Sequence, residues 1–112
     1  MTANRLLVIG RRFCGPPASG NGGYTSGMLA AAATKPVEVR LMQPPPLDTP
    51  LAIQDDPDTS GLLLKNGEEL VASATPKTFE LEVPKPPTYS RALAAVSGYE
   101  GFREHTYPGC FV

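Results

Sequence analysis

The sequence predicts an α+β fold in which a curved antiparallel sheet of about five strands wraps one central helix. A glycine-rich turn that begins at Ser19 runs directly into a helix of small residues, and no charged residue or histidine lies between Phe13 and Thr34. An exposed helix normally carries a charged face, so this helix is expected to pack against a sheet. Residues 37–43 alternate between apolar and polar side chains, and Asn66-Gly67 separates two apolar runs. Both patterns are typical of antiparallel strands.

The first three elements follow from apolar runs and their breakers. A first strand is predicted over residues 5–13, which are rich in Leu, Val and Ile and precede Gly15-Pro16-Pro17. The helix is predicted over residues 22–34. It ends at Lys35-Pro36, because the residue before a proline is disfavoured in the helical region. Residues 37–43 form the second strand, with Val37, Val39 and Leu41 on one face.

A third strand and a hairpin complete the predicted sheet. Residues 51–54 resume the strand pattern after a rigid proline loop, residues 44–50. Residues 62–65 and 69–75 form the hairpin, because Asn-Gly readily adopts the positive φ angles of tight hairpin turns. The helix therefore lies between the first and second of about five strands, all antiparallel.

The remainder of the chain has less periodicity. Residues 79–83 alternate but end in the proline-rich segment 84–87, which predicts a semi-rigid connector and a boundary at residue 83. Residues 89–96 are long enough for two helical turns. Residues 98–112 show no period, so residues 84–112 are predicted to be a connector, a short helix and a tail.

Length and composition exclude several classes of function. The 112 residues allow one domain at most, and 13 prolines with 11 glycines favour strands and loops. A net charge of −1 and no run of basic residues argue against nucleic-acid binding. The apolar run at residues 6–9 is too short for a secretion signal, and residues 28–33 are too short to cross a membrane. We therefore expect a cytoplasmic protein with no membrane partner.

Cys14 and Cys110 lie far apart in the sequence and form no CxxC motif. Neither a metal site nor a disulfide framework is indicated by this spacing, and buried free thiols are expected. The sequence indicates no cofactor.

The turn before the helix is the strongest candidate site. Asn21 is a favourable N-cap residue, and Gly22 and Gly23 leave the first backbone N–H groups of the helix uncovered by any Cβ atom. These donors and the helix dipole could bind phosphate or polarise the carbonyl of an ester or thioester. Alternatively, the glycines only permit a tight turn and close packing of the helix on the sheet. No phosphate-loop lysine and no GxGxxG pattern accompanies them.

Other reactive side chains have simpler interpretations. Ser19, Thr25 and Ser26 lack the His and Asp partners of a triad and are interpreted as capping and turn groups. His105 lies in an aperiodic segment and is interpreted as a surface residue. The carboxylates of loops and turns are expected to be solvated: Asp48, Asp55, Asp56, Glu68 and Glu69. No catalytic residue is assigned.

The order of strand, Asn21-Gly22-Gly23-Tyr24, small-residue helix and four further strands resembles the hot-dog fold. The same turn with Gly27 is similar to the first half of double hot-dog acyl-CoA thioesterase-like proteins. Three further stretches fit that subgroup, namely residues 44–50, 70–75 and 107–112. The resemblance implies that residues 1–83 form a hot-dog half-domain.

The resemblance also implies a function and a partner. It implies a thioesterase-like protein that hydrolyses or binds acyl-CoA or a related thioester, with Asn21, Gly22, Gly23 and Tyr24 at the substrate. Members of the wider family often have His where Asn21 stands, and some carry an acidic catalytic residue on the helix. Since Asn stands at position 21 and residues 22–34 contain no Asp or Glu, a non-catalytic acyl-CoA-binding or structural subunit is the alternative. A homo-oligomer or a second hot-dog half is the expected partner.

Overall fold

A five-stranded antiparallel sheet forms the larger of two units in the computed structural model, which describes residues 5–112. This unit comprises residues 5–78 together with Gly109–Val112. Its strands lie in the order β1-β3-β4-β5-β2, and the helix α1 comes between β1 and β2 in the chain. The elements are β1 Arg5–Leu7, α1 Gly22–Ala31, β2 Val37–Leu41, β3 Leu51–Asp55, β4 Leu62–Asn66 and β5 Glu69–Pro76. The predicted α+β class, with five antiparallel strands and an inserted helix, is confirmed.

The first strand is much shorter than the predicted span of residues 5–13. β1 pairs with β3 only as far as Leu7, which lies opposite Leu51. The next position on β3 is Pro50, which has no backbone N–H to donate to the ladder. The chain then forms a 3₁₀ turn, Arg11–Phe13, and Asp48 N–H donates to the Ile9 carbonyl at 2.8 Å. The strand therefore ends because of a proline on its neighbour.

The hairpin of β4 and β5 forms as predicted. Asn66 lies opposite Glu69, and Gly67 has φ +61°, a conformation that L side chains rarely adopt. The register shifts between Leu64 and Lys65, so one extra residue of β5 is accommodated there. Asn66-Gly67 is therefore the turn that connects β4 to β5 in this hairpin.

Helix α1 covers the core face of the sheet with one row of side chains. Thr25 and Leu29, four residues apart, are both fully buried. The helix ends at Ala31 rather than residue 34, because the chain must turn to enter β2 immediately after Pro36. The core consists of Leu7, Ile9, Leu29, Leu51, Ile53, Leu62, Leu64, Val71, Ala72 and Ala74.

The opposite side of α1 is exposed and carries no charge. Gly23, Gly27, Met28 and Ala31 all lie on the surface of the unit. The helix therefore packs on the sheet along one row of side chains. Burial does not explain why its exposed side has no charged residue.

The second unit is Phe79–Pro108. Its helix α2, Tyr89–Ala95, fits the predicted two helical turns and begins at Thr88, whose hydroxyl oxygen accepts from Arg91 N–H. Residues 79–83 form no strand despite their alternating sequence.

Candidate functional site

The N-terminus of α1 leaves two backbone donors without partners. Asn21 caps the helix, and its Oδ1 accepts from Tyr24 N–H at 2.9 Å. The first intrahelical bond runs from Thr25 N–H to the Asn21 carbonyl at 2.9 Å. Within the described part of the chain, the N–H groups of Gly22 and Gly23 make no hydrogen bond. Of the three donors expected here, the cap occupies Tyr24, and Gly22 and Gly23 remain for a ligand.

Backbone hydrogen bonds hold this turn in place. Gly20 N–H donates to the Pro45 carbonyl at 2.8 Å, and Asn21 N–H donates to the Phe13 carbonyl at 2.9 Å. Pro45 is buried, so the proline loop is fixed against the turn. The free donors are thus carried by a rigid helix whose entry is anchored on both sides.

A groove of about 330 Å³ lies beside Gly22, which carries the first of these two donors. Its lining residues are Gly20, Gly22, Leu41, Met42, Gln43, Pro44 and Pro45. A Cβ atom at Gly22 would lie 3.0 Å from Leu41 Cδ1 and would therefore fill part of the groove. A Cβ atom at Gly23 would instead lie 3.4 Å from Asn21 Oδ1. Gly22 thus keeps the groove open, whereas Gly23 is an exposed position beside the cap.

The groove is mostly apolar and is broadly open to solvent. Leu41, the last residue of β2, is 42% exposed, and Met42, directly after it, is 48% exposed. Gln43 is the one polar side chain among the described lining residues. A bound group with a carbonyl at the glycines would therefore extend its apolar part over Leu41 and Met42.

The Tyr24 side chain packs away from the groove. Its ring stacks on Phe13 with centroids 4.1 Å apart and planes 6° apart, and it meets Phe111 edge to face at 5.7 Å. Of the four predicted site residues only Gly22 lines the groove, and Asn21, Gly23 and Tyr24 do not. The structure thus gives Asn21 a capping role and Tyr24 a packing role beside Gly22 and Gly23.

The candidate carboxylates lie outside the groove in salt bridges or turns. Asp55 Oδ1 pairs with Arg5 Nη2 at 3.0 Å, and Asp48 Oδ2 pairs with Arg11 Nε at 3.3 Å. Asp56 accepts from the backbone N–H of Asp58 in its own turn.

No acid or base chemistry is built into the described lining. None of the described residues that line the groove is titratable. The described residues also contain no group of three or more metal-ligating side chains. His105 belongs to the other unit, where its Nδ1 accepts from Tyr107 N–H. The described side chains of the groove therefore cannot transfer a proton.

A second cleft of about 200 Å³ lies at the other end of α1. Arg5 lines it, donating to the Ala32 carbonyl at 3.3 Å and pairing with Asp55. A cation at a helix C-terminus satisfies carbonyls that the helix leaves open. Arg5 and Asp55, two of the charged residues that line this cleft, are therefore already paired with each other.

Leu41 and Met42 were not identified as site residues from the sequence. Leu41 continues the alternation of Val37 and Val39, which predicts a buried side chain. Leu41 lies close to Gly22 only because the N-terminus of α1 packs beside the end of β2. No sequence signal marks that contact.

Comparisons with protein-family models, curated proteins and solved structures find no match to this chain. In residues 5–112, no helix has the length and apolar character needed to cross a membrane.

Proposed function

We propose that this chain binds acyl thioesters at the N-terminus of α1. The carbonyl oxygen accepts from the N–H groups of Gly22 and Gly23, and the acyl chain lies along Leu41 and Met42. One observation carries the proposal: Gly22, which carries the first of two unpartnered backbone donors at a helix N-terminus, lines an apolar groove and keeps it open. Acyl-CoA is the representative ligand.

The carbonyl and the acyl chain of such a ligand each have a chemically suitable partner at this site. A helix N-terminus carries a partial positive charge, so it favours the partial negative charge of a carbonyl oxygen. Apolar burial contributes about 0.8 kcal/mol for each methylene group removed from water. The apolar part supplies affinity, and the donors orient the thioester.

Binding is supported better than hydrolysis by this chain alone. Hydrolysis needs a group that activates water within hydrogen-bond reach of the carbonyl. The described lining residues offer Gln43 and backbone groups, none of which is titratable. We therefore assign the chain as an acyl-thioester-binding subunit. A thioesterase activity would require a carboxylate or histidine from a different chain that supplies the second half.

We further propose that the unit is a hot-dog half-domain. The observation that supports this is the helix inserted between the first and second of five antiparallel strands and packed on one face of the sheet. In this proposal the exposed, uncharged side of α1 faces a second half, which is either another copy or another chain.

Calorimetric titration with acyl-CoA esters of increasing length, and with free CoA, tests the binding proposal. Affinity should rise with acyl length and be lost in CoA. Gly22→Val should weaken acyl-CoA binding at least about tenfold, because its side chain enters the groove beside Leu41. Gly98→Val is the control, since a Cβ atom there meets nothing within 4 Å and Gly98 belongs to the other unit.

Release of free CoA, followed in the same samples, separates binding from hydrolysis. We expect binding without turnover. Equal affinity of Gly22→Val and the parent chain, with both folded by circular dichroism, would exclude the groove as the binding site. Turnover by the purified chain would contradict the non-catalytic assignment.

A further inference from the structure

The two cysteines, far apart in sequence, lie beside each other at the start of α1. Cys14 Sγ donates to the Gly109 carbonyl at 3.0 Å, and Gly109 directly precedes Cys110. Phe111 N–H, directly after Cys110, donates to the Cys14 carbonyl at 2.7 Å. Hydrogen bonds on both sides of Cys110 thus hold its backbone against Cys14. With standard backbone dimensions, this places the two α-carbons on the order of 6 Å apart, within disulfide range.

We propose that Cys14 and Cys110 form a reversible intramolecular disulfide under oxidising conditions. The disulfide fastens the tail segment, Gly109–Val112, to the turn that precedes α1. Both thiols are free in this structure, and each is partly accessible to solvent. The sequence does not predict this pair, because the two cysteines are far apart in the chain and only the fold brings the tail segment back to the turn.

Aromatic packing positions the tail segment before any covalent bond forms. The Phe111 ring lies edge to face on Phe13 at 4.9 Å and on Tyr24 at 5.7 Å. Phe13 and Tyr24 in turn stack on each other. A pair held in this way reacts as an intramolecular pair, which favours ring closure over reaction with a second chain.

Oxidised glutathione suffices as the oxidant. The thiolate of one cysteine attacks a glutathione sulfur, which forms a mixed disulfide and releases one reduced glutathione. The second cysteine then attacks the protein sulfur of that mixed disulfide and releases the second glutathione. Two protein thiols are oxidised, one glutathione disulfide is reduced, and the two thiol protons pass to the departing glutathione thiolates.

The bond would act on the helix N-terminus. Asn21 Nδ2 lies 3.7 Å from Cys110 Sγ, while Asn21 Oδ1 caps the helix. Fixing Cys110 therefore fixes the environment of the capping side chain. The closed loop would contain nearly the whole chain, and loops of that size give large stabilisation by restricting the unfolded state.

Intact-mass analysis of the full chain tests the proposal. The chain is incubated with oxidised glutathione at low micromolar concentration, and the remaining thiols are alkylated under denaturing conditions. We expect a mass about 2 Da below the reduced chain, no alkylation, and a peptide that links Cys14 to Cys110. The midpoint of thermal unfolding should rise by about 10 °C and return with dithiothreitol.

Three variants keep the test decisive. Cys14→Ser and Cys110→Ser should each take one glutathione and show no reversible thermal shift. Phe111→Ala should slow closure severalfold while leaving both thiols present. Two glutathione adducts on the parent chain, or crosslinks between chains only, would overturn the proposal.

Discussion

Glu38 and Lys77 form the shortest salt bridge of the described chain, with Lys77 Nζ 2.6 Å from Glu38 Oε2. The hydrogen bond from Lys77, followed by its positive charge, lowers the pKa of the Glu38 carboxyl below its ordinary value. Because the pKa is depressed on folding, the pair stabilises the fold above the unfolded-state pKa. That contribution is lost as the pH falls through the lower, folded-state pKa. Both side chains are more than half exposed, so the contribution is small and screened by salt.

We therefore predict that Lys77→Met raises the pKa of the Glu38 carboxyl towards its ordinary value. Carboxyl ¹³C chemical shifts recorded across an acid titration measure this pKa in both proteins. High salt should reduce the difference between them, because the pair is exposed. The same pKa in the parent and in Lys77→Met would show that the ion pair does not form in solution.

Two glycines make opposite contributions to the elements that contain them. Gly67 has φ +61° in the β4–β5 turn, whereas Gly27 lies on the exposed side of α1 with nothing within 4 Å of an added Cβ atom. Gly67→Ala should destabilise the fold by about 1 kcal/mol, since alanine is strained at positive φ. Gly27→Ala should stabilise it by up to about 1 kcal/mol, since alanine favours the helix. Urea unfolding of both variants measures the two changes; equal signs would contradict the assignment of turn and helix.

The elements that the sequence predicted best are those set by local chemistry. Asn66-Gly67 determines its turn without help from the rest of the chain, and the cap at Asn21 likewise depends on neighbouring residues. The predicted end of β1 was wrong because pairing with β3 stops at Leu7. The residue opposite the next position is Pro50, which has no N–H group for the ladder. A constraint that acts between strands so far apart in sequence has no local signature.

The candidate site also has one part that the sequence predicts and one part that it does not. The free N–H groups of Gly22 and Gly23 follow from the sequence, since a helix that begins there must leave its first donors open. The occupied Tyr24 N–H and the groove at Leu41 do not, because they depend on a side-chain rotamer and on packing of the helix start beside β2. The helix end was overestimated by three residues because the turn into β2 requires them.

At the scale of the whole molecule, the exposed side of α1 predicts self-association. Met28 is 37% exposed between Gly27 and the small residues of an uncharged helix face. Exposed apolar surface without charge favours association between chains. If the unit is a half-domain, as proposed, a second copy would pack against this side of α1. Light scattering at micromolar concentration should give the mass of a dimer.

Met28→Lys should shift that dimer towards monomer, since the charge would be buried in the interface. Thr34→Lys, an exposed position after the end of α1, should leave the dimer unchanged. A stable monomer of the parent chain would contradict this assembly.

In the proposed binding mode, a thioester carbonyl accepts from the first free N–H groups of α1. Amide ¹H–¹⁵N spectra recorded during titration with a short-chain acyl-CoA test it most directly, because each donor has its own signal. We predict the largest shifts at Gly22 and Gly23, smaller shifts at Leu41 and Met42, and none at Gly27 or Gly67. Shifts that saturate elsewhere and leave the Gly22 and Gly23 signals unmoved would contradict this binding mode.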